Sequence, residues 1–465
     1  MYSKVKSCIR GCKTYSDFFE CSLGLKQGEV ISPVLFSLFL EDIELSLIDG
    51  VDNGFNLDEF TFILLLFADD MVIIGKNPED LQNRLNLLKE YCVNWGLQVN
   101  PDKSKIVVFR KRGPVRRNEV WYYDNKTLGV VDSYNYLGTV FNYTGTFLSN
   151  QETIAGKGLK AMNVLLNNIS KLSLKPSTIL QLFDSFVTST LCYASEIWGF
   201  GKSKPIERIH MKFCKLLLHV KTSTCNYGIY SELGRYPLYV NRYVRIIKYW
   251  LKVVKSDNIF IQSLYYSLVS DIEMGRTNWA SNVKHLLDSY GFSYVWINPD
   301  IVDLNTFHIV FKNRVIENFV QNCYNGINNS RCLCSYKLFK TTFGFENYLD
   351  FLSPKLRIAF SRLRRSSHQL RIESGRYGAN RVEHNQRYCL LCNSGDIEDE
   401  YHFIIKCPVY DTIRKLYIKP YYYRRPSVYK FTQLMHNTQR SALLKLSKFI
   451  YNAFILRKGL SVAIQ

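Results

Sequence analysis

The apolar positions along this chain change period near residue 150. Before that point they fall into short β-rich runs between turn residues, interrupted by two helical stretches. Phe60 to Gly75 reads as two apolar strands meeting at Asp69-Asp70. Ser32-Pro33 predicts a helix start, a capping hydroxyl followed by proline in the first turn, and Leu35, Leu38, Phe39 and Ile43 keep helical spacing after it. Asn77-Pro78 opens a second helix, with Leu81, Leu85, Leu88, Cys92 and Trp95 on one stripe and Gly96 just past its end. Strand character returns at 97–100, 106–109 and around Gly138. After residue 150 the strands fade and helical patterns run to about residue 340, beginning with Leu159, Met162, Leu165 and Leu166. From Tyr348 to Arg387 the chain is helical and very basic, and a short Cys/His cluster and a last helical segment follow.

Composition narrows the class. A chain of 465 residues, 47% of them hydrophobic, is long enough for two or three domains and apolar enough to bury sizeable cores. A formal net charge of +20 points to a polyanionic partner, nucleic acid first. The apolar run Phe62 to Ala68 is far short of the ~18–20 residues of a membrane span and ends on two aspartates, so no membrane partner is expected. No apolar segment follows Met1-Tyr2-Ser3-Lys4 as a secretory signal requires. Thirteen cysteines, an odd number and mostly scattered, suit a reducing compartment. An intracellular location, nuclear or cytoplasmic and not secreted, is therefore expected.

Two constellations carry chemistry. Adjacent carboxylates at a hairpin tip repel each other, and paired divalent cations relieve that cost: carboxylates hold two ions about 4 Å apart in phosphoryl transfer. An aspartate-rich turn is the competing reading of Phe67-Ala68-Asp69-Asp70 on its own. The second constellation is Cys389-x2-Cys392-x9-His402-x4-Cys407, the spacing of a closed structural zinc site.

The segments around the carboxylates decide the first case. Gly24-Leu25-Lys26-Gln27-Gly28-Glu29-Val30-Ile31-Ser32-Pro33-Val34-Leu35-Phe36 resembles the second palm motif of non-LTR (LINE-type) retrotransposon reverse transcriptases. Phe67-Ala68-Asp69-Asp70 resembles the third, Trp95 through Lys105 the fourth, and Tyr136-Leu137-Gly138 the fifth. Leu191 to Gly199 and Glu232 to Pro237 are similar to helical segments of the same family, and Glu398, Asp399, Glu400, His402, Phe403, Cys407, Pro408, Tyr410 and Arg414 to its C-terminal ending.

The resemblance implies an RNA-directed DNA polymerase, a two-metal nucleotidyltransferase that takes an RNA template, a DNA primer or target and deoxynucleotides. Asp69 is then the Mg²⁺ ligand, Asp70 a further or alternate ligand, and Lys103 (or Lys105) the group that meets the leaving pyrophosphate. Gln27, Gly28, Ser32, Pro33, Phe67 and Ala68 would lie along the template and nucleotide, and Tyr136 and Gly138 under the primer end. Cys389, Cys392, His402 and Cys407 would hold Zn²⁺, and Arg362, Arg364, Arg365 and Arg371 would meet RNA.

The implied fold is α+β. A partial palm sheet (1–149) leads into a helical thumb and linker (150–345), a basic helical segment (346–388), a Cys3His module (389–410) and a C-terminal helical segment (411–465). Only 23 residues precede Gly24, and Asp17 lies too close to stand for the family's first palm aspartate. A fragment beginning within the palm, inactive alone, is therefore expected. The alternatives are a non-catalytic nucleic-acid-binding remnant or domesticated protein with structural zinc, and a helical scaffold that binds no nucleic acid.

Overall fold

The computed structural model describes the chain except residues 1–4, 13, 22–23, 26–27, 49–54, 58–59, 111–112, 115–118, 378–380, 393 and 464–465. It separates into two compact units, residues 1–146 with 257–270, and 147–256 with 271–465. No helix among the described residues is long and apolar enough to cross a membrane.

The first unit is built on the helix Pro78–Asn94. Asn77 caps it, its side-chain oxygen accepting from the Asp80 amide at 2.8 Å, and Gly96 leaves it in the left-handed region at φ 64°. Leu85, Leu88, Tyr91 and Cys92 bury against Leu40, Ile43 and Leu47, with Ile63, Ile106, Trp121 and Tyr123 completing the core. Trp95 closes the predicted apolar stripe but stands 43% exposed, its ring edge-on to Phe39 at 5.1 Å. Asp80 and Arg84 form a buried pair at 2.8 Å on the same helix, and Arg84 also donates to the Leu47 carbonyl. Ser32 is the first residue of the helix Ser32–Phe39, not its cap; Pro33 does sit in the first turn.

The expected continuous palm sheet is not formed among the described residues. Their strands occur as six two-stranded pairs, each two to four residues long. Tight turns end these strands early, and the pair Leu64–Phe67 with Asp70–Ile73 finds no third strand on either edge. The segment 97–100 is irregular, and strand pairing resumes only where Lys105–Ile106 lies parallel to Gly129–Val130. Residues 257–270 belong with this unit because the Phe260 ring packs on Phe60 and Phe62, at 5.4 and 4.8 Å.

The second unit is helical, from Leu148–Ile169 to Arg440–Ala463, with the Cys/His segment folded into it. Its buried face includes a polar centre. Glu232 is fully buried, with Arg364 at 2.7 Å, Arg365 at 2.9 Å, and the hydroxyls of Tyr348 and Tyr336 donating at 2.7 and 2.9 Å.

Candidate catalytic hairpin and metal centre

The strands Leu64–Phe67 and Asp70–Ile73 pair antiparallel with Phe67 opposite Asp70, so Ala68 and Asp69 form a two-residue turn. Ala68 takes φ 51°, a left-handed conformation that a residue with a Cβ adopts at a cost of order 1 kcal/mol or more. The consequence is a pair of adjacent carboxylates, both exposed at a fixed tip. Phe67 is 61% exposed beside them, so the predicted apolar hairpin presents part of its apolar surface to solvent.

A second hairpin lies within the electrostatic reach of the first. Ser133–Tyr136 pairs with Thr139–Asn142, Tyr136 opposite Thr139, and both loop residues have positive φ, Leu137 at 47° and Gly138 at 80°. Positive φ at both positions is the type I′ geometry, which glycine tolerates and leucine does not favour. Burial first, then the charge of Asp70, pushes the Tyr136 hydroxyl above its ordinary range. The third and fifth palm segments are thus brought within each other's field.

The fourth segment ends in a polar turn. The Asn100 side chain accepts from the amides of Asp102 and Lys103 at 3.0 and 3.2 Å, and Tyr134 donates to the Lys103 carbonyl at 3.4 Å. Lys103 is exposed there. In the second segment Gly28 has φ 88°, and a Cβ built on it meets nothing within 4 Å, so backbone conformation and not close approach requires glycine. Pro33 is exposed and Ser32 buried. Gln27 lies outside the described residues. Among the described residues no third carboxylate, His or Cys lies within metal-sharing range of Asp69 and Asp70.

The predicted RNA-facing arginine helix is corrected by the structure. The helix Pro354–Arg364 ends at Arg365, and a separate turn, Arg371–Ser374, follows. Arg364 and Arg365 are 4% and 1% exposed and point inward at Glu232, because a buried carboxylate needs counter-charge and these two supply it. Arg362 is exposed but donates to the His219 carbonyl at 2.7 Å, and Arg371 is half-buried. Arg387 is buried and donates to the carbonyls of Ile372 and Val382. Glu232 lies in the family-like segment Glu232 to Pro237, but a buried acid whose two arginine partners come from far downstream leaves no local signal of this role in sequence.

The Cys/His segment converges. Cys389, Cys392, His402 and Cys407 are all buried, and one ligand atom from each lies within 4.8 Å of the others. Tetrahedral zinc with Zn–S of about 2.3 Å sets sulfurs about 3.8 Å apart, so three thiols and an imidazole in this volume fit that ion. The Cys392 Sγ is 3.4 Å from His402 Nε2, which aims that nitrogen into the cluster. The opposite nitrogen, Nδ1, is buried with no hydrogen bond and has Asp396 at 3.6 Å, the usual place of a carboxylate that orients a metal-bound histidine. Hydrogen bonds from Cys407 and then His402 drive the Cys389 thiol far below its ordinary range, toward the thiolate a metal binds.

The acidic residues inside this segment anchor it. Glu398 accepts from the Arg371 amide at 2.7 Å and pairs with Arg457. Asp399 caps His402, accepting from its amide at 2.7 Å. Glu400 joins His368, Ser335 and Ser366 at 2.7 to 2.9 Å.

Comparison with known proteins agrees with this arrangement. Residues 2–141 match the family described as reverse transcriptase (RNA-dependent DNA polymerase). The RNA-directed DNA polymerase from mobile element jockey of Drosophila funebris is 24% identical over 217 residues, 44% of this chain and 22% of the relative. The Pol polyprotein from a type-1 retrotransposable element R2 of Popillia japonica is 23% identical over 218 residues, 45% of this chain and 35% of that one. A putative uncharacterized transposon-derived protein of Caenorhabditis elegans is 30% identical over 167 residues, 35% of this chain and 56% of the relative. The chain thus spans between about a fifth and little more than half of these relatives. Residues 2–141, which hold the four palm-like segments and the carboxylate hairpin, thus match the reverse transcriptase family, and the chain is similar to RNA-directed DNA polymerases and Pol polyproteins of jockey- and R2-type retrotransposable elements.

Proposed function

We propose that this chain contributes part of the catalytic palm of an RNA-directed DNA polymerase that copies an RNA template from a DNA primer. The observation that carries this reading is the hairpin tip, where a strained Ala68 holds Asp69 and Asp70 side by side and exposed. Magnesium held there would activate the primer hydroxyl and stabilise the leaving pyrophosphate. The protein's own contribution is position: Asp69 and Asp70 fix the cation, Tyr136 and Gly138 support the primer end, Gln27, Gly28, Ser32, Pro33, Phe67 and Ala68 lie along template and nucleotide, and Lys103 faces the pyrophosphate. A palm sheet completed around this hairpin, the helices after residue 147 acting as thumb and linker, and zinc closing the Cys389–Cys407 module are parts of the same reading.

A specific observation favours the second reading as well. Two adjacent carboxylates grip ions from one side, and among the described residues no third ligand faces them. Phosphoryl transfer is almost entirely positioning and charge stabilisation, so a half-site leaves the activating metal under-coordinated. The expectation for the 465-residue chain is nucleic-acid binding without synthesis. Primer extension on an RNA template, with magnesium or manganese, is expected to give no product above an Asp69→Ala control. Robust Asp69-dependent extension would refute the half-site reading, and extension equal in Asp69→Ala would refute the catalytic assignment.

A further inference from the structure

The basic charge of this chain is unevenly placed. Between Thr412 and Gln465 the sequence has eleven Lys and Arg and no Asp or Glu, more than half of the whole net charge of +20. Two of the eleven are committed internally. Arg414 donates to the carbonyls of Ile404 and Cys407 and pairs with Asp411, and Arg457 pairs with Glu398. The other nine have no ion-pair partner among the described residues.

Within this tail, Lys419 to Lys430 interleaves cations with rings: Lys419, Tyr421, Tyr422, Tyr423, Arg424, Arg425, Tyr429 and Lys430. Tyr421 is 52% and Tyr429 70% exposed, and Lys419, Arg424 and Arg425 are exposed between them. The surface is held in shape from several directions. The short helix Pro420–Tyr423 packs against His402–Lys406, the turn that carries a zinc-site ligand. Ser427 caps the helix Val428–Met435, and Phe431 on that helix is fully buried. Lys430 lies over the Tyr421 ring with its Nζ 4.7 Å from the centroid and donates to the Arg425 carbonyl at 2.9 Å.

We propose that this face, Lys419 to Lys430, is a binding surface for single-stranded nucleic acid. Exposed rings offer faces on which unpaired bases stack, and unpaired cations between them follow a phosphate backbone. An apolar partner would find too much charge here, and a duplex, its bases already stacked, would use only the cations. The position beside the zinc module gives the arginine-rich sequence before that module a different part: it builds the support for the surface and leaves the nucleic acid to the tail. The proposal takes from the previous section only that the partner is a nucleic acid, and it requires no catalysis.

The test uses the full chain and three labelled probes: a 20-nucleotide single-stranded RNA without self-pairing, a duplex of equal length, and a poly-glutamate of matched charge. The single strand is expected to bind most tightly. Tyr421→Ala and Tyr429→Ala should each weaken it roughly tenfold, while Tyr421→Phe with Tyr429→Phe retains binding. Arg424→Gln with Arg425→Gln should flatten the slope of log affinity against log salt by about 1.4, since each phosphate contact on a single strand contributes about 0.7. Unchanged melting temperatures show that the variants fold. Equal affinity for duplex, displacement by poly-glutamate at matched charge, or slopes and affinities unmoved by all variants would each overturn the proposal. Every readout here is binding by the full chain, whereas the catalytic reading is tested by primer extension, so failure of the one and failure of the other are separable.

Discussion

Replacing Glu232 should unfold the second unit well before any surface arginine would. Its carboxylate is fully buried and receives two guanidiniums and two phenol hydroxyls, all within 2.9 Å. Glu232→Ala leaves Arg364 with Glu346 at 3.5 Å, the Met435 carbonyl at 3.3 Å and the rings of Phe339, Tyr348 and Phe360, and Arg365 with the Tyr348 hydroxyl at 3.3 Å. Removing one partner of a buried ion pair costs about 3–5 kcal/mol. At roughly 2–4 °C per kcal/mol for a unit of this size, the melting temperature should fall by about 10 °C. Glu232→Gln with Arg364→Met, which removes one charge of each sign, should recover part of the loss. Burial raises the Glu232 carboxyl, but the charges of Arg364 and Arg365 overcome that and hold it far below the ordinary carboxylate range. A depressed carboxyl contributes stability that is present above its unfolded value of about 4.5 and is lost as pH falls below it. The gap in melting temperature between wild type and Glu232→Gln should therefore narrow on acidification below about pH 4.5. Differential scanning calorimetry from pH 3 to 8 checks both statements. A Glu232→Ala melting temperature within about 2 °C of wild type would refute the buried-network account, as would Arg364→Gln that leaves stability intact while flattening the salt dependence of RNA binding.

Three further outcomes are expected. Purified protein should carry about one zinc per chain by elemental analysis, and Cys392→Ser or Cys407→Ser should abolish it; zinc content unchanged in either variant contradicts the Cys3His assignment. Leu137→Asn should stabilise the first unit by about 1 kcal/mol, because Asn-Gly suits a type I′ turn that leucine enters only under strain; a lower melting temperature counts against that turn geometry. Lys103→Ala should leave primer–template affinity nearly unchanged in any active form of the enzyme and lower the rate of nucleotide addition, and a loss confined to binding would remove Lys103 from the pyrophosphate side.

The parts legible in sequence were those specified over short stretches of chain. The helix Pro78–Asn94 carries its own start, stripe and stop, and the structure follows them closely. The ligand spacing from Cys389 to Cys407 is local enough that the four side chains converge. The carboxylate hairpin was readable because two short apolar runs flank one turn. What sequence could not show depends on partners far along the chain. Charge density placed Arg364 and Arg365 on an RNA-facing helix, whereas Glu232, more than a hundred residues upstream, draws both inside. The burial of Arg84 likewise depends in part on a distant group, the Leu47 carbonyl, beside Asp80 one turn earlier. The stretch after Lys419 does carry a sequence signal, rings interleaved with cations in an acid-free tail, which the helical period of residues 411–465 masks.

The most direct test of the central claim, that Asp69 and Asp70 form one side of a polymerase metal site, is primer extension by a chimera. Upstream sequence from a jockey relative would be joined ahead of this chain, and RNA-templated extension measured with magnesium. The account predicts no extension by the 465-residue chain, extension by the chimera, and its loss in the chimera carrying Asp69→Ala. Extension that survives Asp69→Ala, or none from a chimera that binds primer–template normally, would contradict it.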